Sequence, residues 1–284
     1  MSTVVTDLRR RMRHPLPGFG LSLGLGMAWL GLIVLLPLAA LVVRAAGLGG
    51  EGWMHVLADP RVRASLFLSF SASAIAAVIA SLAGALVAWV IVRYEFPGRR
   101  LMDALVDLPF ALPTAVAGIA LTAIYSPNGW VGRLFDPHGI KIAYAPAGIV
   151  IALVFIGLPF AVRTLQPVLE TLGRDQEEAA ASLGASRFTT FRRVVLPELA
   201  PALLTGFSLA FARALGEYGS VIFIAGNLPF KTEIAPLLIT IRLEEYDYDG
   251  AVAIAALLLA ASFVCLLAIN ALIPALTAGK RRDG

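Results

Sequence analysis

Residues 175–197 read DQEEAAASLGASRFTTFRRVVLP and lie between two long apolar runs of the chain. Asp175 is a good helix N-cap, and Glu178, three residues later, can return a hydrogen bond to the amide of the cap. Glu177 and Glu178 also place negative charge at the positive end of the helix dipole. The alanines that follow favour helix, and Gly184 suits the left-handed position just after a helix end. The stretch therefore predicts a short capped helix that a glycine terminates.

A second helix is predicted directly after that glycine. Ser186 can cap it. Its apolar face at helical spacing comprises Phe188, Phe191, Val194 and Val195. Pro197 then stops this helix or opens the next one. Two interpretations of the segment remain open, namely a hairpin that merely connects two spans, or a projection that fits a groove on another protein and transmits motion.

The composition places this segment in a polytopic membrane protein. The chain has 284 residues, of which 58% are hydrophobic and 15% charged, and its mean hydropathy is +0.82. A soluble domain has roughly 45–50% apolar and about 25% charged residues. A soluble chain of this size could not bury so much apolar surface, so the excess should face membrane lipid. Most soluble enzymes, nucleic-acid-binding proteins and disordered chains are excluded.

Six transmembrane helices are predicted from the stretches with few charged residues. A helix of about 20 residues spans a hydrocarbon core of about 30 Å, and the runs lack the two-residue alternation of barrel strands. The predicted fold class is therefore all-α. The predicted spans cover residues 19–43, 65–92, 108–126, 145–165, 201–226 and 250–273.

The distribution of Lys and Arg predicts that both termini are cytoplasmic. With the N-terminus inside, 15 of the 23 lie on the cytoplasmic side and seven lie outside, while Arg213 lies within a span. This bias follows the positive-inside rule, so the net charge of +4 reports topology, and no nucleic-acid partner is expected. The predicted division of the chain is a basic cytoplasmic tail at 1–15, a first span with its outer loop at 16–62, a transmembrane core at 63–275 and a basic cytoplasmic tail at 276–284.

The chain lacks the sequence features of an ATPase or a metalloenzyme. A P-loop requires G-x4-G-K-[ST], yet only Lys280 among the lysines follows a glycine, and Pro274 and Arg281 occupy positions that need Gly and Ser or Thr. The three histidines and the single cysteine, Cys265, show no ligand spacing, so no metal site is expected. If ATP drives this protein, another polypeptide hydrolyses it, and this chain is not an enzyme.

The spacing within residues 170–197 resembles the EAA loop of permease subunits of ATP-binding-cassette importers. The residues that carry the resemblance are Glu178, Ala179, Ala180, Gly184, Val194, Leu196 and Pro197. Val194 stands where the family usually has isoleucine. The resemblance implies that this segment, called the EAA loop below, inserts a coupling helix into a cleft on a cytoplasmic ATPase subunit.

Three further stretches, at 93–99, 107–118 and 216–227, resemble the T-type (CysT or CysU) permeases of sulfate/thiosulfate importers. These are inner-membrane components of binding-protein-dependent transport systems. The resemblance implies the MetI-like fold of type I importers, a bacterial inner-membrane location and transport by alternating access. It also implies a second, W-type permease, two copies of an ATPase that binds ATP and Mg, and an external sulfate-binding protein. No cofactor is expected on this chain. Molybdate or tungstate permeases share the EAA loop and remain an alternative.

The predicted fifth span contains two charged residues, Arg213 and Glu217, which are i and i+4 neighbours on one helix face. Within a membrane they should face the bundle or a water-filled path. Two roles remain open: a pair that neutralises itself and holds the span in register, or a gate in which Arg213 presents positive charge to a passing oxyanion. Gly216 and Gly219 permit close helix approach or local unwinding.

Two other features leave alternatives open. The outer loop at 227–249 has a net charge of −3, which fits either a solvated loop or the docking of an external partner. An ion-gradient-driven anion carrier is the alternative from another functional class. Such a carrier needs an ion relay, and Glu217 is the only fully intramembrane carboxylate in the predicted spans.

Overall fold

The computed structural model describes the backbone of residues 18–278 and the side chains of residues 18–272. The predicted tail at 1–15 lies outside the described residues, as does most of the tail at 276–284. All regular secondary structure within the described part is helical, so the all-α class is confirmed. The chain divides into two compact units, one ending at Gly50 and the other beginning at Glu51.

The first unit contains one long apolar helix, α1 (Phe19–Gly47). A π turn at Gly31–Leu35 interrupts its regular α-helical hydrogen bonding. Large apolar side chains along the helix are exposed, as a lipid-facing helix requires. The predicted first span is therefore confirmed as a helix, and it extends four residues beyond the predicted end.

The remaining helices include four long ones and several short connecting ones. They are α2 (Gly49–Ala58), α3 (Pro60–Arg93), α4 (Arg99–Val106), α5 (Leu108–Ala111), α6 (Thr114–Tyr125), α7 (Gly132–Phe135), α8 (Pro146–Leu172), α9 (Asp175–Ser182), α10 (Arg187–Leu215), α11 (Val221–Ile224), α12 (Ala235–Glu244) and α13 (Tyr248–Ala278).

Among the described residues, five helices are long and apolar enough to cross a membrane, namely α1, α3, α8, α10 and α13. The predicted third span differs, because it is not one continuous helix. Leu112 and Pro113 have extended backbone conformations and separate α5 from α6. A residue before proline disfavours the helical region, which explains the break at Leu112. The helix α6 has 12 residues and is about 18 Å long.

The core of the second unit forms where α3, α8 and α10 pack together through small residues. A Cβ added at Gly84 of α3 would lie 2.6 Å from the Cβ of Ala161 on α8. A Cβ at Gly206 of α10 would lie 3.3 Å from the Cα of the same alanine. On α3, four residues at i+4 spacing are buried: Ser69, Ser73, Ala77 and Ser81. The small side chains therefore set the close approach of three spans.

Ion pairs at either end of α3 identify the two ends of this bundle. Arg93 at the C-terminus of α3 pairs with Glu177 of the EAA loop, and we call this the EAA end. Arg61 at the N-terminus of α3 pairs with Glu233, and we call this the opposite end. The segments around Tyr144 and Ile224 also meet near the opposite end, where the Tyr144 N–H donates to the Ile224 carbonyl at 2.7 Å.

Candidate functional site

The first helix of the EAA loop is α9, and it begins one residue earlier than the N-cap prediction implies. Arg174 occupies the N-cap, and Asp175 is the first helical residue, so the predicted capping box of Asp175 and Glu178 is wrong. The Glu178 N–H donates to the Arg174 carbonyl at 2.9 Å. Glu177 and Glu178 still lie in the first turn, where their charges favour the helix dipole.

Gly184 ends α9 in the predicted manner. Its φ is +81°, a left-handed conformation that an L side chain rarely adopts. The Gly184 N–H donates to the Ala181 carbonyl at 2.9 Å, and the Ala185 N–H donates to the Ala180 carbonyl at 3.0 Å. This pair of bonds is a Schellman motif, which satisfies the last carbonyls of the helix.

The second helix of the loop continues into the fifth span without a break. Ser186 caps it as predicted, because its Oγ accepts from the Thr189 N–H at 3.2 Å. Pro197 was expected to stop this helix or to open a separate one, yet α10 runs continuously from Arg187 to Leu215. A π turn at Phe191–Val195 precedes the proline. Because a widened turn already rearranges the hydrogen bonds there, the missing N–H of Pro197 is tolerated within the helix.

The loop exposes large apolar side chains that an ordinary connecting loop does not need. Leu183 is 88% exposed and Phe188 is 72% exposed. The predicted single apolar face is therefore not buried as a unit, since Val195 is buried while Phe188 is not. The loop residues that carry the family resemblance mostly lie at the surface: Glu178, Ala179, Gly184, Leu196 and Pro197 are exposed, and Ala180 and Val194 are half-buried.

Arg93, which lies outside the EAA motif, fastens the loop to the end of α3. Its Nη2 lies 2.7 Å from Glu177 Oε1, and its guanidinium lies 5.4 Å from the centre of the Trp89 ring. Trp89 in turn contacts Phe191 of α10 edge-to-face at 6.2 Å. The signal in the sequence was the basic residue at the end of the second span within the stretch 93–99.

The helix of the predicted fifth span ends earlier than expected, and a break in helical structure follows it at residues 216–220. The helix α10 ends at Leu215, so Glu217 lies just beyond it, and α11 begins only at Val221. Arg213 and Glu217 nevertheless meet as predicted, with Nη1 and Oε2 2.6 Å apart. The Glu217 side chain is 2% exposed, whereas that of Arg213 is 35% exposed.

Glu217 is held by more than Arg213. Its Oε1 accepts from the Ser220 N–H at 2.9 Å and from the Ser220 Oγ at 3.1 Å. A buried carboxylate is stable only when such partners satisfy it. Glu217 therefore fixes the turn that follows α10, while one side of Arg213 remains accessible.

The break also packs tightly against α6, which explains one of the predicted glycines but not the other. A Cβ at Gly219 would clash with the Thr114 Oγ1, and a Cβ at Gly118 would lie 2.8 Å from the Ser220 Cα. Gly216 differs, because an added Cβ would meet nothing within 4 Å. Close approach therefore requires glycine at 118 and 219, whereas Gly216 packs against nothing in the described part of the chain.

A second arginine, Arg163, which lies outside the stretches that carry the family resemblance, joins α8 to the α4–α5 segment. Arg163 donates from Nε and Nη2 to the two carboxylate oxygens of Asp107, at 2.9 and 2.5 Å. Its Nη1 donates to Asp103 Oδ1 at 2.7 Å. Asp107 begins the stretch 107–118 that carries the family resemblance, so this stretch is fixed to the fourth span.

The segment 227–249, predicted as an outer loop, contains the helix α12, which is clamped to the start of α3. Arg61 donates to both carboxylate oxygens of Glu233 at 2.8 and 2.7 Å, and Arg242 donates to Asp59 at 2.8 Å. The interpretation of a wholly solvated loop is therefore wrong for Glu233 and Arg242. The exposed remainder includes acidic and aromatic residues: Glu244, Glu245, Tyr246, Tyr248 and Asp249.

Comparison with known protein families identifies the class to which this architecture belongs. Residues 80–279 match the family described as "Binding-protein-dependent transport system inner membrane component". The chain belongs to this family. The matched range includes the EAA loop, the break after α10 and the helix α12, but not its partners Asp59 and Arg61. As predicted, the chain is a membrane component of a transport system and not a catalytic subunit.

Individual relatives cover nearly the whole chain. The protein from Salmonella typhimurium named "Sulfate transport system permease protein CysT" is 50% identical over 260 residues, which are 92% of this chain and 94% of that protein. The protein of the same name from Synechocystis is 53% identical over 244 residues, covering 86% of this chain and 85% of the relative. The similarity is thus not confined to the EAA loop.

Solved structures confirm the fold of ATP-binding-cassette importer permeases. A bacterial transporter for import of the acidic polysaccharide alginate matches with a TM-score of 0.74 at 15% identity, covering 95% of this chain and 98% of that one. The methionine transporter MetNI matches with a TM-score of 0.55 at 18% identity, covering 76% of this chain and 94% of that one. The predicted MetI-like fold is therefore confirmed.

Proposed function

We propose that this chain is a transmembrane permease subunit of an ATP-driven importer for sulfate and thiosulfate. The observation that carries the proposal is the 50% identity over 92% of the chain to a permease named for sulfate transport. The exposed side chains of Leu183 and Phe188 in the EAA loop support the same function, because they offer an apolar surface to which a separate ATPase could bind. A molybdate or tungstate importer is the alternative within the family.

The EAA loop is the proposed site of coupling to the ATPase. In this proposal Leu183 and Phe188 enter a cleft on one copy of a cytoplasmic ATPase dimer. Because the helix α10 is continuous from Arg187 to Leu215, it carries the movement of the EAA loop into the fifth span. A second, W-type permease presents its own EAA loop to the other copy. ATP and Mg bind only to the ATPase subunits. The EAA end and both termini then face the cytoplasm of a bacterial cell.

The energetics require a source of free energy, either ATP or an ion gradient, and the proposed ATPase would supply it. Moving a dianion into a cell that is negative inside by about 100 mV costs roughly 4.6 kcal/mol, at about 2.3 kcal/mol per charge. Uptake from a dilute medium adds a concentration term. ATP binding would close the ATPase dimer and open the path outward, and hydrolysis would return the bundle to its inward-facing state.

Arg213 is the proposed contact for the passing anion. It lies on a spanning helix and is partly accessible, and a membrane arginine that is not buried should face a protein interface or a water-filled path. Glu217 neutralises part of its charge. The resulting attraction is weak, which suits a transit site that must release its ion. Selectivity then resides mainly in an external sulfate-binding protein.

The opposite end is the proposed docking site of that binding protein. Tyr246 is 79% exposed and lies beside Glu244 and Glu245 at the end of α12. Because α12 is clamped to α3, a protein that binds this patch would rest on an element tied to the second span. The acidic charge favours a basic surface on the partner.

The test is uptake of radiolabelled sulfate by bacteria in which this chain, with its partner subunits, replaces the endogenous sulfate permease. We expect excess thiosulfate to suppress sulfate uptake and molybdate at the same concentration to leave it unchanged. We also expect uptake to continue with an uncoupler while cellular ATP is held constant. Suppression by molybdate alone would assign the alternative substrate. Collapse of uptake with the uncoupler would assign the ion-gradient-driven carrier instead.

A further inference from the structure

The helix α3 is fastened by an ion pair at each of its ends. It has 34 residues and is therefore about 50 Å long. Arg61 is its second residue and Arg93 is its last. The partners of these arginines lie on two different helical segments at opposite ends of the bundle.

At the EAA end, Arg93 joins α9 to α3. None of the eight residues of α9 is buried, so packing alone holds it weakly. The Arg93 side chain is only 8% exposed and pairs with Glu177 at 2.7 Å. The Arg93 carbonyl also accepts from Arg174 Nη2 at 2.6 Å, just before α9 begins. One residue of α3 therefore contacts both the start and the first turn of the loop helix.

At the opposite end, the same helix holds α12. Arg61 makes a bidentate contact with Glu233, whose side chain is 1% exposed. Ser69 Oγ accepts from the Ala235 N–H, the first amide of α12, at 2.8 Å. Charge-assisted bidentate bonds are among the strongest contacts in proteins, so α12 should follow any displacement of α3.

A cavity of about 520 Å³ lies beside Arg93, lined partly by Trp89, Glu178 and Phe191. This space gives α9 room to move against the end of α3. The spans themselves pack through glycine and alanine and offer little room to deform. A displacement passed from α9 to the end of α3 is thus expected to move α3 as a rigid unit, so that its two ends move together.

We infer that Arg93 is a positioning residue that makes α3 follow the EAA loop, so that the clamped helix α12 at the opposite end moves with it. This inference rests on the proposed coupling of the loop to an ATPase. It adds a second connection to the direct one through α10, and it links the ATPase side of the molecule to the surface proposed for the binding protein.

The first test measures sulfate uptake and ATP hydrolysis in the reconstituted complex with Arg93→Gln, Glu177→Gln and the double variant. Arg100→Gln is the matched control, because it removes an exposed arginine from the same end of the molecule. We expect each single variant to transport about tenfold less sulfate per ATP hydrolysed, with normal amounts of complex. The double variant should match the worse single variant, since the pair acts as one unit. Normal uptake in Arg93→Gln, or additive losses in the double variant, would overturn the inference.

The second test reads the movement of α12 directly. With Cys265 replaced by serine, a cysteine introduced at Tyr246 is labelled with a membrane-impermeant maleimide, with and without ATP. We expect ATP to change the labelling rate in the parent and to leave it unchanged in an assembled Arg93→Gln complex that still hydrolyses ATP. An unaltered ATP response in Arg93→Gln would contradict the role of α3. The Gly184→Val variant distinguishes the two proposals, because normal uptake in that variant refutes the loop coupling itself.

Discussion

In the EAA loop, large apolar side chains face outward and the turning glycine lies in open space. In the segment from Arg213 to Gly226, by contrast, the charged residue Glu217 is buried and Gly219 has no room for a side chain. Both regions carry the sequence motifs of the family. Contacts within this chain therefore hold the residues of the second region in place, whereas they leave Leu183 and Phe188 of the EAA loop exposed.

This comparison predicts opposite effects of substitution, and Gly118→Leu should give the largest loss of stability. The added side chain meets the backbone of Ser220, which cannot rotate aside. We expect a loss above about 5 kcal/mol, beyond the usual overpacking cost of about 1–3 kcal/mol. The measurement is the amount of folded protein in membranes, and normal levels would show that the break is not a fixed contact.

Arg213→Ala should cost about 3 kcal/mol, because it leaves the buried Glu217 carboxylate without its counter-charge. The double variant Arg213→Gln with Glu217→Gln removes both charges and should recover most of that loss. Thermal unfolding of the purified complex measures the stability of both. If Arg213 contacts the anion, sulfate uptake in the double variant stays about tenfold low, and full recovery of uptake would assign the pair a structural role alone.

Gly184→Val should change stability by only about 1–2 kcal/mol, the local cost of a left-handed β-branched residue. We expect normal membrane insertion and at least a tenfold loss of sulfate uptake, because the turn at Gly184 that positions Leu183 and Phe188 is altered. Gly139→Val is the matched control, since Gly139 is also left-handed with open space around it but lies outside the EAA loop. Equal uptake by the two variants would remove the coupling role from the loop.

Gly216→Ala should have the smallest effect, within about 0.5 kcal/mol on stability. An added methyl group meets nothing within 4 Å, and the backbone φ is −90°. A large loss of uptake with unchanged stability would show that the surface at Gly216 lies against a partner subunit or in the translocation path. Gly216 would then resemble Gly184 of the EAA loop, where substitution is expected to reduce uptake more than stability.

The local features of the EAA loop were predictable because they depend on neighbours in the sequence. The left-handed Gly184 and the Ser186 cap follow from residue type alone. The N-cap differed by one residue, because the carbonyl of Arg174 accepts the first helical hydrogen bond and Asp175 already lies within the helix. Pro197 was misjudged because a π turn is a property of the whole helix and has no single-residue signal.

Residue types and their spacing predicted the membrane class, the all-helical fold, four of the long spans with each end within seven residues, and the pairing of Arg213 with Glu217. These depend on hydropathy and on helical periodicity, which act over short separations. The break in the third predicted span follows from the proline after Leu112, which is a local feature. Tertiary contacts instead determine that α10 ends at Leu215 and that Arg93, Arg163 and Arg61 find acidic partners far along the chain. Such pairings depend on which helices pack together, and that packing is fixed by contacts between distant residues.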